Sequence, residues 1–224
     1  KSVQVDWDIE SAVVLTRGGI SNLEKRLEKR TVTSGCGQGT VFGDMLEDLD
    51  KIKLNSPVLR QSSFYRLLRN IREYNEVYKK SGAVHGCALC KDEKIEIFIE
   101  DVGRHNAADA IAGYMLLEQI DGSNKLFYTT GRLTSEMVIK VAQMGIPILF
   151  SRAGITKMGL ELSQKLGVTT ISRAAGKHFL VYNGAETVIY DAKPSEKTDS
   201  RFNSSGGSEE SPLHERRRGS KLST

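Results

Sequence analysis

Cys36 is the residue of this chain whose type and setting best suit nucleophilic chemistry. It lies in the segment TSGCGQGT, residues 33–40, where three glycines surround it and leave the backbone free to move. A thiolate in such a segment can attack a sulfur donor, hold the transferred sulfur and present it to an acceptor. The basic residues of Lys25–Arg30 favour the thiolate, whereas the carboxylates among them oppose it. An exposed loop cysteine without chemistry is the alternative.

A second chemical candidate is the segment HGCALC, which places His85, Cys87 and Cys90 close together. Imidazole and thiolate groups at this spacing can hold zinc. A lone CxxC is weak support, and the sequence lacks the H-x-E and P-C-x-x-C elements of a zinc deaminase. We therefore predict that Cys87 and Cys90 are small buried packing residues and that the chain binds no metal.

Four predicted loops combine an arginine with a glycine at the end of a strand. The strands Ile95–Ile99, Leu126–Thr129 and Ile146–Phe150, and a fourth that ends near Ser172, precede the segments EDVGRHN, TGRLT, SRAGIT and RAAGKH. In a parallel sheet such loops meet at the carboxyl edge, where open α/β folds bind ligands. This placement predicts one crevice that gathers Arg104, Arg132, Arg152 and Arg173.

The same crevice is predicted to bind an anionic, nucleotide-like ligand. Arginine forms bidentate bonds with phosphate, and Gly131 permits close approach of the backbone. Asn106, Thr134 and Thr156 are predicted N-caps, whose helices would point backbone N–H groups at the anion. His105 and His178 are further candidates for bonds to phosphate or base, with a purely structural histidine as the alternative for each.

The elements that position these residues follow from hydrophobic periodicity. Short strands are predicted around Val3–Trp7 and at Ala12–Leu15, and a charged helix at Asn22–Arg30. Apolar residues over Ser63–Tyr78 recur at helical spacing and predict one amphipathic helix. Strand-like and helix-like patterns then alternate to residue 190, which is typical of a layered α/β domain with mainly parallel pairing.

Three regions are predicted along the chain. Residues 1–55 form an N-terminal region with the Cys36 loop, residues 56–191 form the α/β ligand-binding domain, and residues 192–224 form a tail. The tail is dominated by Ser, Gly, Glu, Lys and Arg, so it cannot bury enough apolar surface to offset the entropy of ordering. We expect it to be disordered.

Composition narrows the classes of function. The net charge of +4 is modest, and no basic stripe with interleaved aromatic residues occurs, so nucleic-acid binding gains little support. Three cysteines without a secretory leader favour a reducing compartment, and we expect a cytoplasmic protein. No apolar run approaches the length of a membrane-spanning helix. Because the chain starts at Lys1 rather than at Met, we expect a piece of a longer protein.

Two sequence blocks, EDVGRHNA at 100–107 and GRLTSEMV at 131–138, together with the Val84–His85 segment, occur in a characteristic order and spacing. In these features the chain resembles the FdhD family, the accessory sulfurtransferases that mature formate dehydrogenase. The resemblance covers roughly Val3 to Tyr190. It implies a cytidine-deaminase-like α/β fold with a mainly parallel sheet and a smaller, incomplete N-terminal region, in a homodimer.

The resemblance also implies a function. A member of this family carries persulfide sulfur from a cysteine desulfurase to the bis(molybdopterin guanine dinucleotide) cofactor of formate dehydrogenase, and guanine nucleotides would act as partial mimics of that ligand. In this chain Cys36 corresponds to the persulfide cysteine. The family's cofactor-contacting loop corresponds to Arg173, Ala174, Ala175, Gly176, Lys177 and His178.

Gly39 is the departure from the family pattern that bears on the chemistry. The transfer loop of the family commonly has a Cys-x-x-Cys pair, whereas glycine replaces the second cysteine here. One thiol suffices to carry a persulfide, but a resolving thiol on the same loop is missing. A cofactor-binding or nucleotide-binding chaperone without sulfur chemistry is therefore the first alternative function. A zinc hydrolase that uses His85, Cys87 and Cys90 is the second.

Overall fold

Short apolar strands and amphipathic helices alternate along the chain and build a six-stranded sheet with helices on both faces. The computed structural model describes residues 2–15, 18, 30–33, 39–42, 49 and 51–192. These residues belong to one compact unit, Lys1–Ala192. Cys36 and the predicted tail beyond Ala192 lie outside the described residues, and the predicted boundary between residues 55 and 56 stays a prediction.

The N-terminal region contains two hairpins. β1 (Ser2–Asp6) pairs with β2 (Ser11–Leu15) in antiparallel fashion, which confirms the two predicted strands, and both strands are exposed. β3 (Arg30–Thr33) pairs with β4 (Gly39–Phe42). Of the predicted helix over residues 22–30 only the last residue is described, and it begins β3.

The segment that follows contains β5 (Leu59–Arg60), α1 (Gln61–Tyr74) and α2 (Glu76–Ser81). The prediction of one helix over Ser63–Tyr78 is wrong, because the helix breaks at Asn75. The Asn75 side-chain amide donates to the carbonyl of Ile71 at 3.0 Å, and such local bonds compete with the helical ladder.

The remaining elements alternate between strand and helix and agree closely with the predicted strand positions. They are β6 (His85–Lys91), β7 (Lys94–Asp101), α3 (Arg104–Leu117), β8 (Leu126–Thr129), α4 (Ser135–Gln143), β9 (Ile148–Ser151), α5 (Lys157–Leu166), β10 (Thr169–Ala175), β11 (His178–Asn183) and β12 (Val188–Ile189). β12 returns to pair with β5. No helix in the described part of the chain is long and apolar enough to cross a membrane.

The main sheet has the strand order β11-β10-β9-β8-β6-β7, and its pairing corrects the prediction of a mainly parallel sheet. Two strand pairs are parallel, β8–β9 and β9–β10. The other three pairs, β6–β7, β6–β8 and β10–β11, are antiparallel. The reason lies in the connections. Tight turns at Asp92–Glu93 and at Gly176–Lys177 link consecutive strands, and such short links permit only antiparallel pairing. The fold is therefore a mixed α/β fold.

The strands that precede the four predicted loops nevertheless point the same way. β7 and β8 are both antiparallel to β6, so they share one direction with β9 and β10. Their carboxyl ends meet at one edge of the sheet, and the amino ends of β6 and β11 reach the same edge. The predicted gathering of the four loops is confirmed for the backbone.

Two apolar cores hold the layers together. α3, α4 and α5 pack on one face of the sheet, around Ile111, Phe127 and Leu149. α1 packs on the other face through Phe64 and Leu67. Successive strand residues point to opposite faces, so each central strand contributes to both cores.

Two of the three predicted N-caps occupy N-cap positions, and one of them makes the side-chain capping bond. Thr156 precedes α5 and its hydroxyl accepts from the N–H of Gly159 at 3.1 Å. Thr134 precedes α4, but its hydroxyl donates to the Glu136 carboxylate at 2.9 Å. The prediction for Asn106 is wrong, because α3 already begins at Arg104 and Asn106 lies in its first turn. Its side-chain amide donates to the carboxylate of Asp101.

Candidate functional site

Arg104 and His105 lie beneath the carboxyl edge of the sheet rather than on it. Arg104 is only 8% exposed, and its Nε meets no hydrogen-bond partner among the described residues. Gly131 makes room for this side chain, since a Cβ there would lie 2.7 Å from Cδ of Arg104. His105 is half-buried, and burial followed by the charge of Arg104 lowers its pKa. Nδ1 of His105, like Nε of Arg104, is buried and has no hydrogen-bond partner among the described residues.

Two neighbouring cavities open at the edge itself. The first, which we call the Tyr128 cavity, has a volume of about 430 Å³ and is lined by Leu68, Ile71, Arg72, Asn75, Tyr78, Lys79, Tyr128, Arg152, Ala174, Ala175 and Gly176. The second, the His85 groove, has a volume of about 490 Å³ and is lined by Tyr78, Gly82, Ala83, Val84, His85, Thr130, Arg152 and Ala153. Tyr78 and Arg152 line both, so the two spaces are adjacent.

The shared wall is a cation–π pair. Cζ of the Arg152 guanidinium lies 5.7 Å from the centre of the Tyr78 ring, within the range of this interaction. Tyr78 itself is placed by α2, where the Glu100 carboxylate accepts from its backbone N–H at 2.9 Å. The pair therefore comes from two different layers of the fold, α2 and the loop after β9.

Two residues that line the Tyr128 cavity have a buried polar atom. Neither the hydroxyl of Tyr128 nor Oδ1 of Asn75 has a partner with full hydrogen-bonding geometry among the described residues. Burial raises the pKa of Tyr128, while the charge of Arg152 and a hydrogen-bonding interaction with its side chain act in the opposite direction. The wall of the cavity therefore has polar groups behind it that are incompletely satisfied within the fold.

The charges around this cavity have one sign. Arg72, Lys79 and Arg152 line it, and none of its lining residues is a carboxylate. Within the described part of the chain these three cations form no ion pair. The end of the Arg72 side chain lies close to Gly176, since a Cβ there would be 3.0 Å from Nη2. The cavity is thus suited to an anionic ligand that also offers hydrogen-bonding groups.

The structure divides the predicted contact residues into two groups. Arg152, Ala174, Ala175 and Gly176 line a cavity. The others lie at or beneath the edge without lining either cavity; they are Arg104, His105, Gly131, Arg132, Thr156, Arg173, Lys177 and His178. Arg72, Tyr78 and Lys79 lie on helices, and Asn75 lies between two helices, so the strand-end pattern of arginine and glycine does not include them.

Arg173 occupies an unusual backbone conformation. Its φ of +53° lies in the left-handed region, which disfavours residues with a Cβ. It falls where the β10–β11 register shifts, and its N–H donates to the carbonyl of Ala153 at 2.9 Å. The guanidinium reaches to 4.0 Å from the position of a Cβ at Gly154, so this strained residue faces the loop after β9.

Cys87 and Cys90 are buried, as predicted. Both are fully inaccessible, and they lie on opposite faces of β6, because Cys87 belongs to the core with α3 and Cys90 to the core with α1. Burial raises the pKa of Cys87 to about 12 and also raises the pKa of Cys90. Two thiols on opposite faces of a sheet cannot share one metal ion. In the described part of the chain no group of three or more potential metal ligands occurs.

Comparison with known families decides the relationship of this chain. The sequence model of the FdhD/NarQ family matches residues 1–189. The chain belongs to this family. Members of the FdhD/NarQ family among the curated proteins include the sulfur carrier protein FdhD of Bacillus pumilus (strain SAFR-032), which is 34% identical over 69% of this chain and 59% of its own length. The corresponding protein of Wolinella succinogenes is 32% identical over 81% of this chain and 64% of its own length.

A solved structure extends the family relationship to the fold. The crystal structure of a protein assigned as a formate dehydrogenase accessory protein, from Desulfotalea psychrophila, matches with a TM-score of 0.59 and 31% identity over 74% of this chain and 73% of that one. The chain spans about three fifths of the length of the FdhD/NarQ relatives named above.

Proposed function

We propose that this chain is a sulfur carrier in the maturation of formate dehydrogenase, with Cys36 as the carrier. The curated relatives are named sulfur carrier proteins, which supports this role. Of the three cysteines in the sequence, Cys87 and Cys90 are buried with raised pKa values, and a buried thiol is a poor nucleophile. Cys36 is the cysteine that remains.

The proposed transfer is a thiol–persulfide exchange. The Cys36 thiolate attacks the outer sulfur of a persulfide on a cysteine desulfurase, so that a new S–S bond forms while the S–S bond of the donor breaks. The cysteine of the desulfurase leaves as a thiolate, and no external oxidant or reductant takes part. This step requires one thiol on the carrier, which is compatible with Gly39 at the position of a second cysteine.

The proposed acceptor is the bis(molybdopterin guanine dinucleotide) cofactor, bound as substrate at the carboxyl edge. The observation that carries this assignment is the Tyr128 cavity, where Arg72, Lys79 and Arg152 stand without carboxylate partners. The acceptor edge of a guanine base suits the cations within the cavity, and a phosphate suits Arg152 at the wall that is shared with the His85 groove. Guanosine diphosphate serves as the mimic.

Further parts of the proposal follow from the family relationship. They are a cytidine-deaminase-like layering of the mixed sheet, a homodimer, a cysteine desulfurase and a formate dehydrogenase as partners, and a cytoplasmic location. A chaperone that binds the cofactor without sulfur chemistry is the competing function, and Gly39 favours it. The placement of Cys87 and Cys90 on opposite faces of β6 argues against a zinc hydrolase.

Mass spectrometry after incubation with a cysteine desulfurase and cysteine tests the carrier role. We expect one added sulfur on Cys36, which a reducing agent removes, and none on the Cys36→Ser variant. Cys87→Ala is the matched control, and it should accept sulfur like the parent protein. Sulfur on Cys87 or Cys90 would contradict the assignment. Guanosine diphosphate binding without any sulfur uptake would favour the chaperone.

A further inference from the structure

His85 lies at the carboxyl edge because β6 runs against the four strands that end there. It is the first residue of β6 and pairs with Asp101, the last residue of β7. The side chain is partly buried and lines the His85 groove together with Arg152 and Thr130. The sequence suggested His85 only as a zinc ligand, and its cysteine neighbours are both withdrawn into the cores.

A hydrogen-bond chain fixes the orientation of this imidazole. The backbone N–H of Gly86 donates to Oγ1 of Thr130 at 3.0 Å, and the backbone N–H of Thr130 donates to the carbonyl of Gly86 at 2.9 Å. The Thr130 hydroxyl then lies 3.3 Å from Nδ1 of His85. Gly86 is required for this arrangement, since a Cβ there would lie 2.7 Å from the ring of Phe98.

The same chain favours one tautomer of His85. The Thr130 hydroxyl accepts a hydrogen bond from Gly86 and has one hydrogen of its own to donate. Nδ1 of His85 lies within reach of that hydrogen, and when it accepts the hydrogen, Nε2 carries the ring proton. Burial, and then the charge of Arg104, lower the pKa of His85, which favours the neutral ring.

The two cavities determine how an elongated ligand would lie. They share Tyr78 and Arg152, so a ligand whose base occupies the Tyr128 cavity enters the His85 groove when it passes Arg152. Arg72 and Lys79 line only the first cavity, whereas His85 and Thr130 line only the second. The groove is lined by small residues, Gly82, Ala83 and Ala153, and leaves space for a compact group.

We propose that the His85 groove is a phosphate subsite, in which Nε2–H of His85 and the guanidinium of Arg152 bind the terminal phosphate of a nucleoside diphosphate. Thr130 is a positioning residue that holds Nδ1 and thereby directs the proton to Nε2. This inference rests on the proposed function for the location of the base in the Tyr128 cavity. To that function it adds the path of the phosphates, which run from the Tyr128 cavity past Arg152 into the His85 groove. It also adds a binding role for His85, which the strand-end motifs did not indicate.

Isothermal titration calorimetry with guanosine diphosphate and guanosine tests the subsite on the full chain. His85→Phe keeps the ring size but removes the donor, and it should weaken guanosine diphosphate binding roughly tenfold or more, the effect of losing a hydrogen bond to a charged group. His85→Gln keeps an N–H donor and should restore much of the affinity. Guanosine, which has no phosphate, should bind all three proteins equally.

Nitrogen NMR of labelled histidine tests the role of Thr130 separately from affinity. In the parent protein the His85 signals should show a protonated Nε2 and an unprotonated Nδ1. Thr130→Val should produce a mixture of tautomers and weaken guanosine diphosphate binding, whereas Thr130→Ser should retain the parent spectrum. A parent spectrum with protonated Nδ1 would overturn the assignment.

Failure of the phosphate subsite and failure of the proposed function give different results in these experiments. If His85→Phe binds guanosine diphosphate like the parent protein, the subsite is wrong and the proposed function stands. If the parent protein binds no guanine ligand, the ligand in the proposed function is wrong, and inorganic diphosphate becomes the probe. Binding of diphosphate that depends on His85 then supports the subsite, and its absence overturns it.

Discussion

Cations at the two ends of the central strands differ in whether a carboxylate pairs with them. At the amino end of β8, Lys125 is buried, and both carboxylate oxygens of Glu96 lie within hydrogen-bonding distance of its Nζ, at 2.7 and 2.6 Å. At the carboxyl end, Arg72, Lys79 and Arg152 surround a cavity without a carboxylate among its lining residues. The first arrangement stabilises the folded chain. The second is suited to an anion that comes from outside.

The two ends of α1 repeat this contrast. At its start, the Asp191 carboxylate accepts from the backbone N–H of Ser62 at 2.8 Å and from its hydroxyl at 2.9 Å. At its far end, Arg72 and Asn75 face the Tyr128 cavity. Charge that is satisfied within the fold and charge that is left for a ligand are therefore separated along the strand direction.

Arg152→Ala should have the largest effect on binding and almost none on folding. Removing one charge-assisted bond to phosphate costs about 1.5 to 3 kcal/mol, which is roughly a ten- to hundredfold loss of affinity for guanosine diphosphate. The side chain is exposed, so the free energy of unfolding should change by less than about 0.5 kcal/mol. Calorimetry and urea denaturation measure the two quantities. Unchanged affinity would move the ligand away from the shared wall of the two cavities.

Lys125→Met should show the reverse pattern. It leaves the Glu96 carboxylate, whose side chain is 24% exposed, without its partner, and we expect the free energy of unfolding to fall by about 2 kcal/mol. Lys140→Met is the matched control, because its partner Asp109 is 59% exposed and such pairs contribute about 0 to 1 kcal/mol. Guanosine diphosphate affinity should stay the same in both variants. If the two variants were equally stable, the Lys125–Glu96 pair would contribute no more to folding than an exposed ion pair does.

Arg173→Gly should raise stability, because glycine adopts a φ of +53° without strain. Relief of the left-handed conformation contributes about 1 to 2 kcal/mol, and the entropy of glycine offsets about 0.5 to 1 kcal/mol of it, so the free energy of unfolding should increase by about 0.5 to 1 kcal/mol. Arg173→Ala removes the same guanidinium but keeps a Cβ, so it should show no such gain. Both variants lose the same guanidinium, so their nucleotide affinities should be equal to each other. A stability gain in the alanine variant would show that the strain does not reside in the backbone.

Asp191→Asn should have the smallest effect, and it should appear mainly in acid. The pKa of Asp191 is lowered, chiefly by the hydrogen bond from the Ser62 backbone, so its stabilisation is present above the unfolded pKa and is lost as the pH falls through the folded one. Below about pH 4 the parent protein should lose stability more steeply than the variant. Urea midpoints across this range measure the slopes, and identical slopes would exclude Asp191 as a contributor.

Strand positions were predictable from the sequence, whereas strand directions were not. Buried strands such as Leu126–Thr129 are short apolar runs that stand out by composition. Direction depends on the connections, and the antiparallel β6 and β11 follow from two tight turns that periodicity does not reveal. The gathering of the four loops was nevertheless predicted correctly. β7 and β8 are both antiparallel to β6, so they run in the same direction as each other, as a parallel sheet would also require.

The candidate site was predictable only in part, because its walls come from two kinds of element. Arg152 and Ala174–Gly176 follow strands and carry the arginine and glycine signal. Arg72 and Lys79 belong to helices, where a basic residue is normally a solvated one. The position of Lys79 depends on the break at Asn75, since a continuous helix would have placed α2 elsewhere. Sequence periodicity does not reveal such a break, because it depends on one hydrogen bond from the Asn75 side chain to the helix backbone.

The distribution of Cys87 and Cys90 over the two faces of β6 makes them reporters of how the layers separate. A thiol reagent can reach Cys87 only after the α3 layer lifts from the sheet, and Cys90 only after the α1 layer does so. Pulsed alkylation under native conditions would therefore time each opening event at its own residue. Equal rates would mean that the fold opens as one cooperative unit, and unequal rates would identify the layer that detaches first.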